Sequence, residues 1–178
     1  IEPILEENGI PDDFKYLAVI ESGLTQAVSP SGASGFWQFM KKTAPEYGLE
    51  ITQTVDERYH VEKSTHAACL YLLESYEKFG NWALSAASYN MGMTGVEQRL
   101  EAQGVDSYWE LHLNSETARY VYRILAVKEV LSKPETYGFQ LTENDVYHPH
   151  EVRKVVITAN IENLSEFALN NGSNYRDL

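Results

Sequence analysis

The chain has one cysteine, Cys69, in 178 residues. A lone thiol cannot close an internal disulfide, so an apolar core must hold the fold, and a chain of this length can bury one. Cys69 sits in a helical run, AACLYLL, with no activating base beside it, and reads as an inert core thiol. Positive charge is also scarce. Fourteen Lys and Arg face 26 Asp and Glu, a formal net charge of −12, and no basic stripe gathers on one face. That argues against a nucleic-acid partner. No apolar run reaches the length of a membrane span, and no signal or lipid-attachment sequence is present. Membrane attachment would have to come through segments outside this chain. The five histidines offer no ligand set: His60 and His66 do not share a helical face, and His148 and His150 flank Pro149 in a polar stretch. With no metal-ligand spacing, phosphate loop or dinucleotide fingerprint, no metal and no cofactor are expected.

What is present is helical periodicity over the first three quarters. Residues 1–7 read as a helix stopped by Asn8-Gly9. Asp12 is placed to cap a helix that carries Phe14, Leu17, Ala18 and Glu21 at i, i+3, i+4, i+7. A Ser/Gly/Pro-rich loop follows at 24–35, then a short helix over 42–47 and a longer one over 61–79. Asn81 is placed to cap WALSAASYNM, another short helix starts near Thr94, and Asn114 is placed to cap a long helix over 115–131, ended by Lys133-Pro134. After Gly138 the pattern changes. The run 151–158 (EVRKVVIT) reads as a strand and 164–169 as a short helix, so a domain boundary is expected near residue 140.

Within this frame the stretch ESGLTQAVSPSGASGFWQF stands out. Glu21 closes an amphipathic helix, meets a small-residue loop at once, and is followed by an aromatic cluster around one amide, Gln38. A helix end fixes a carboxylate rigidly, a loop opens a groove, and apolar neighbours such as Trp37, Phe39 and Met40 would raise its pKa.

Four blocks in order, ESG at 21–23, SGASGFWQFMKKTAPEYGL, SAASYNMG at 85–92, and SETARYVYRILAVKEVLSKPETYGF, resemble the catalytic domain of the family 1 lytic murein transglycosylases. This is the SLT, goose-lysozyme-like family, and the last block has the ending typical of its membrane-bound D subfamily. Phe36-Trp37, Ser88, Met91 and Met93 depart from the usual residues. The tail weakly resembles part of a LysM peptidoglycan-binding repeat, with Ile161-Glu162 where Gly-Asp is usual.

The resemblance implies a mainly α, lysozyme-like helical domain over 1–139 with a small C-terminal β/α extension over 140–178, the latter a partial or degenerate LysM-like module. It implies peptidoglycan glycan strands as the partner, in a bacterial periplasm or at the outer membrane. The implied reaction is cleavage of the bond between N-acetylmuramic acid and N-acetylglucosamine without water, leaving 1,6-anhydro ends. Glu21 would be the single acid and base, and Tyr89 would orient it through its hydroxyl. Ser22, Ser34, Gln38, Asn90 and Tyr120 are the implied substrate-binding residues. Structural alternatives stand beside these roles: Ser22 as a helix-end cap, Gln38 as a loop tie, Asn90 as a structural amide, Tyr89 and Tyr120 as packing aromatics. Glu116 reads as a first-turn carboxylate favoured by the helix dipole. A hydrolysing muramidase would need a second carboxylate, with Glu46, Glu50, Asp56 and Glu57 available. A groove that binds peptidoglycan without cleaving it is the third reading.

Overall fold

The computed structural model describes residues 1–147 and 152–178. His148, Pro149, His150 and Glu151, on which part of the strand and histidine readings fall, lie outside the described residues. The chain divides into two compact units, residues 1–140 and 141–178.

The first unit is built from six α-helices: α1 (Glu2–Glu7), α2 (Lys15–Ser22), α3 (Val61–Phe79), α4 (Trp82–Met91), α5 (Met93–Gln103) and α6 (Ser115–Ser132). Their boundaries have local causes. Asn81 accepts from the N–H groups of Ala83 and Leu84 and starts α4. Asn114 does the same with Glu116 and Thr117 and starts α6. Such caps satisfy donors that the first turn leaves unpaired, at about 1 kcal/mol each. α3 ends at Gly80 in the left-handed conformation.

α4 lies at the centre, against α3, α5 and α6. Five consecutive residues, Leu84 to Ser88, are buried, so it has no solvent stripe over that span. Small side chains there let α3 approach closely. Ser88 donates to the carbonyl of Ser85, and its hydroxyl meets that of Ser75 at 2.7 Å. The unusual serine is therefore satisfied inside the core. Leu17, Trp37, Leu72, Leu84, Val96 and Tyr120 complete that core, each burial stabilising by roughly 1.5–3 kcal/mol. Cys69 is buried among them, and burial pushes its thiol up to about 11.

Several expected elements differ. Asp12 makes no side-chain cap and instead pairs with Lys15 at 2.8 Å, because residues 12–14 wind as a 3-10 turn before α2 begins. The helix expected over 42–47 shrinks to a 3-10 turn, Ala44–Tyr47, where Pro45 lacks a donor and Gly48 turns left-handed. The helix near Thr94 runs for 11 residues.

In the second unit α7 (Leu164–Asn170) forms where a short helix is expected, capped by Asn163. Residues 152–158 form no strand. A strand needs a ladder partner, and none is supplied among the described residues of this unit. Arg153 donates to the backbone carbonyl (3.0 Å) and the side-chain oxygen (3.1 Å) of Asn171, the residue that follows α7.

Candidate functional site

Glu21 occupies the last turn of α2. Gly23, at φ 60°, caps that helix by donating to Val19 at 2.8 Å, so the carboxylate is presented by rigid backbone where the chain turns away. The Ser22 hydroxyl lies within hydrogen-bond distance of both the Ala18 carbonyl (3.1 Å) and the Phe36 carbonyl (2.9 Å). It ties the helix end to the following loop.

That loop is ordered by backbone bridges between Val28 and Ser34 and between Ser34 and Phe39. Its pin is Arg58, a buried guanidinium that donates to the carbonyls of Gly32 (2.9 Å) and Phe39 (3.0 Å) and to both oxygens of Asp56. Arg58 holds the Asp56 carboxyl below its ordinary value, so the pair stays ionised and the loop stays anchored. Ser34 is buried within this loop, with the Gly32 carbonyl at 3.5 Å from its hydroxyl. Gln38, at φ 50°, donates its amide nitrogen to the carbonyls of Ala27 (2.9 Å) and Gly35 (2.8 Å). It is both a loop tie and part of the adjoining cleft wall.

The acid is held from across the core. Tyr120, fully buried on α6, donates its hydroxyl to Glu21 Oε1. Arg123, three residues on, donates to the carbonyl of Ile20 at 2.9 Å. Burial pushes the Glu21 carboxyl above its ordinary value. The Tyr120 hydrogen bond and the Arg123 charge oppose that rise, and the Glu116 charge adds to it. Both neighbouring phenols, Tyr89 and Tyr120, are held neutral by burial and next by the charge of Glu21.

The Tyr89 hydroxyl donates to the Trp37 carbonyl at 2.8 Å. The expected contact between the Tyr89 hydroxyl and the glutamate is made by Tyr120 instead. The reason is positional: α4 carries the Tyr89 ring into an aromatic cluster with Trp37, Phe39 and Tyr71, at centroid distances of 6.4, 6.1 and 5.1 Å. There the nearest acceptor is the loop backbone, which this bond fastens to α4.

Asn90 bridges two helices. Its Oδ1 accepts from Thr117 Oγ1 at 2.7 Å and its Nδ2 donates to Glu116 Oε1 at 3.1 Å. Beside it opens a cleft of about 470 Å³, walled by Gln38, Phe39, Tyr47, Tyr71, Tyr89 and Asn90 among others. Glu21 is not in that wall. Gln38, Tyr89 and Asn90 stand together in the wall of that cleft.

Sequence reasoning did not single out Arg58 or Arg123, and read Glu116 only as the first-turn carboxylate it is. The spacing of Glu116, Tyr120 and Arg123 at i, i+4, i+7 was the available signal, since it puts the three side chains on one helical stripe.

A helical, lysozyme-like domain presenting one half-buried carboxylate beside an open cleft is the class that this fold and site define. The chain belongs to the transglycosylase SLT domain family, whose model matches residues 2–112. It is similar to the membrane-bound lytic murein transglycosylase D of Escherichia coli strain K12, 32% identical over 148 residues, which cover 79% of this chain and 32% of that protein. The counterpart from Escherichia coli O6:H1 matches with the same figures. A putative tributyltin chloride resistance protein of Alteromonas sp. strain M-1 is 30% identical over 90 residues, covering 49% of this chain and 44% of its own. The chain spans about a third of the length of the first two relatives. Glu116, Tyr120 and Arg123 lie beyond the span matched by the family model.

Proposed function

We propose that this domain is a peptidoglycan lytic transglycosylase, cleaving the bond between N-acetylmuramic acid and N-acetylglucosamine in glycan strands of the bacterial envelope. The observation that carries the reading is the environment of Glu21: a carboxylate made reluctant to ionise by burial, yet aimed by Tyr120, in a domain of the SLT family. Glu21 donates its proton to the leaving oxygen as the C1–O bond breaks. The substrate's 2-acetamido group stabilises the anomeric centre. The C6 hydroxyl of the muramoyl unit then attacks C1, and Glu21 takes up that hydroxyl's proton. Protons balance, and no water enters. The nucleophile is intramolecular, which gives it a high effective concentration.

Hydrolysis would need a carboxylate to activate water. Of the acids at hand, Asp56 is committed to Arg58 and Glu57 to Lys63 and the Glu50 N–H. Digestion of sacculi in heavy-oxygen water decides between the reactions. The expected result is unlabelled 1,6-anhydro ends, one water lighter than reducing ends and resistant to borohydride. Labelled, reducible ends would establish a hydrolase, and intact sacculi with bound protein a binding module.

Two tyrosine variants separate the neighbours of the acid. Tyr120→Phe removes the hydroxyl that aims Glu21 and is expected to slow turnover about 10²-fold. Tyr89→Phe leaves the Trp37 carbonyl without its donor and is expected to cost about 1–3 kcal/mol of stability with a smaller loss of rate. Paired rate and denaturation measurements check this, and a larger rate loss in the Tyr89 variant would reverse the assignment.

For the 141–178 unit we propose a LysM-like glycan-binding role. It is supported by a hollow of about 770 Å³ walled in part by Val155, Ile157, Leu164 and Phe167. Removing this unit is then expected to weaken binding to sacculi while leaving cleavage of short soluble glycans in place.

A further inference from the structure

α6 makes three contacts with the acid site from a single stripe. Glu116 accepts from Asn90 on α4, at 3.1 Å. Tyr120, one turn on, donates to Glu21 on α2. Arg123, nearly one turn further, donates to the carbonyl of Ile20, the residue before the acid, at 2.9 Å. Residues four and three apart on a helix face the same way, so the three side chains form one column. The outer two carry opposite charge and stand on either side of the tyrosine that grips the acid. Each is bonded to a neutral group, an amide in one case and a backbone carbonyl in the other, so neither charge is cancelled by its partner.

We propose that Glu116 and Arg123 are positioning residues that act as opposed charges on Glu21, setting the pH range over which it holds its proton. This rests on the reading of Glu21 as the general acid. Around Glu21, α6 contributes Tyr120, Arg123 and Glu116, and α4 contributes Tyr89. Residues 24–39 contain no titratable side chain. Tyr89 and Tyr120 remain neutral through the relevant range, so the balance on Glu21 falls to the two charges. A negative charge disfavours ionisation of a nearby carboxyl and a positive one favours it. Glu116 thus extends the range over which Glu21 is an acid, and Arg123 limits it, easing the later return to carboxylate form. Opposed charges leave the acid able both to give and to take a proton, as a reaction with one acid/base group requires.

The test follows the Glu21 carboxyl carbon by NMR in the carbon-13-labelled protein, beside the pH–rate profile on sacculi. Glu116→Gln is expected to lower the titration midpoint by a few tenths of a unit to about one unit, and Arg123→Gln to raise it by a similar amount. The double variant should return toward wild type. Arg123→Lys keeps the charge and should leave the midpoint near wild type, which a loss caused by the hydrogen bond alone would not do. Because both residues are exposed, raising the salt should shrink both shifts. Shifts of the same sign, or none from either variant, overturn the proposal. The high-pH limb of activity should move with each midpoint. If the wild-type protein releases no sugar from sacculi, the reading of the reaction fails, while the NMR titration still decides whether the two charges act on Glu21.

Discussion

Glu21→Gln is expected to lose nearly all glycan cleavage while still binding sacculi. Glutamine keeps the shape and can still accept from Tyr120, but it has no proton to give. A single positioned proton transfer is worth roughly 10²–10⁴-fold, and in the proposed reaction both transfers use one group, so a loss near the upper end, about 10⁴-fold, is expected. Release of soluble sugar from purified peptidoglycan measures it. More than a tenth of wild-type activity in the variant would remove Glu21 from the mechanism.

The same substitution has a thermodynamic signature. Glu21 is raised above its ordinary value when folded, chiefly by burial. Below the ordinary carboxylate range both folded and unfolded states are protonated, and the carboxyl costs nothing. As pH rises through that range the unfolded chain ionises first, so stability falls until the folded acid has ionised too. The glutamine variant escapes that loss. Its melting temperature should exceed that of wild type at pH 7, and the gap should close as the pH falls toward about 4. A gap of the opposite sign at neutral pH would mean that Glu21 is held more comfortably as an anion than its surroundings indicate.

The second large effect is on the fold. Gly35→Ala is expected to destabilise the domain by about 2–5 kcal/mol, the sum of a left-handed backbone cost and a steric one. Gly35 has φ 80°, and a Cβ there would stand 2.0 Å from the backbone oxygen of Arg58. Backbone cannot swing aside as a flexible side chain can. Arg58 is itself fastened to Asp56, Gly32 and Phe39, so relief at Gly35 would loosen the loop that carries Trp37 and Gln38. Gly32→Ala is the control. It has φ 85° with open space around its Cβ position, and should cost only about 1 kcal/mol. Equal losses in the two variants, measured by chemical denaturation, would show that the close approach carries no penalty.

Much of this protein could be read along the chain because its determinants are local. The caps at Asn81 and Asn114 and the long helix Val61–Phe79 depend on residues a few positions apart. The place of Glu21 at a helix end before a loop was legible for the same reason. Local signals were weaker guides where two short-range preferences competed, as at Asp12, drawn to Lys15 rather than to a cap, and at 42–47, where Pro45 and Gly48 left only a 3-10 turn. In 152–158, β-branched residues point to a strand, but pairing is a property of the partner as much as of the segment.

Which hydroxyl meets the acid was decided elsewhere. Tyr89 and Tyr120 look alike as buried aromatics on apolar helical faces, and no spacing separates their roles. Tyr120 is 99 residues from Glu21 along the chain, and the contact exists because α6 packs against α2. Tyr89 turns instead to the Trp37 carbonyl because α4 delivers its ring to the loop. The sequence by itself determined the long helices, the caps at Asn81 and Asn114, and the place of Glu21 at a helix end. The packing of α6 across α2 and α4 decided its partners, since a side chain's environment is set by the elements it is pressed against, and those are chosen by the burial of the whole core.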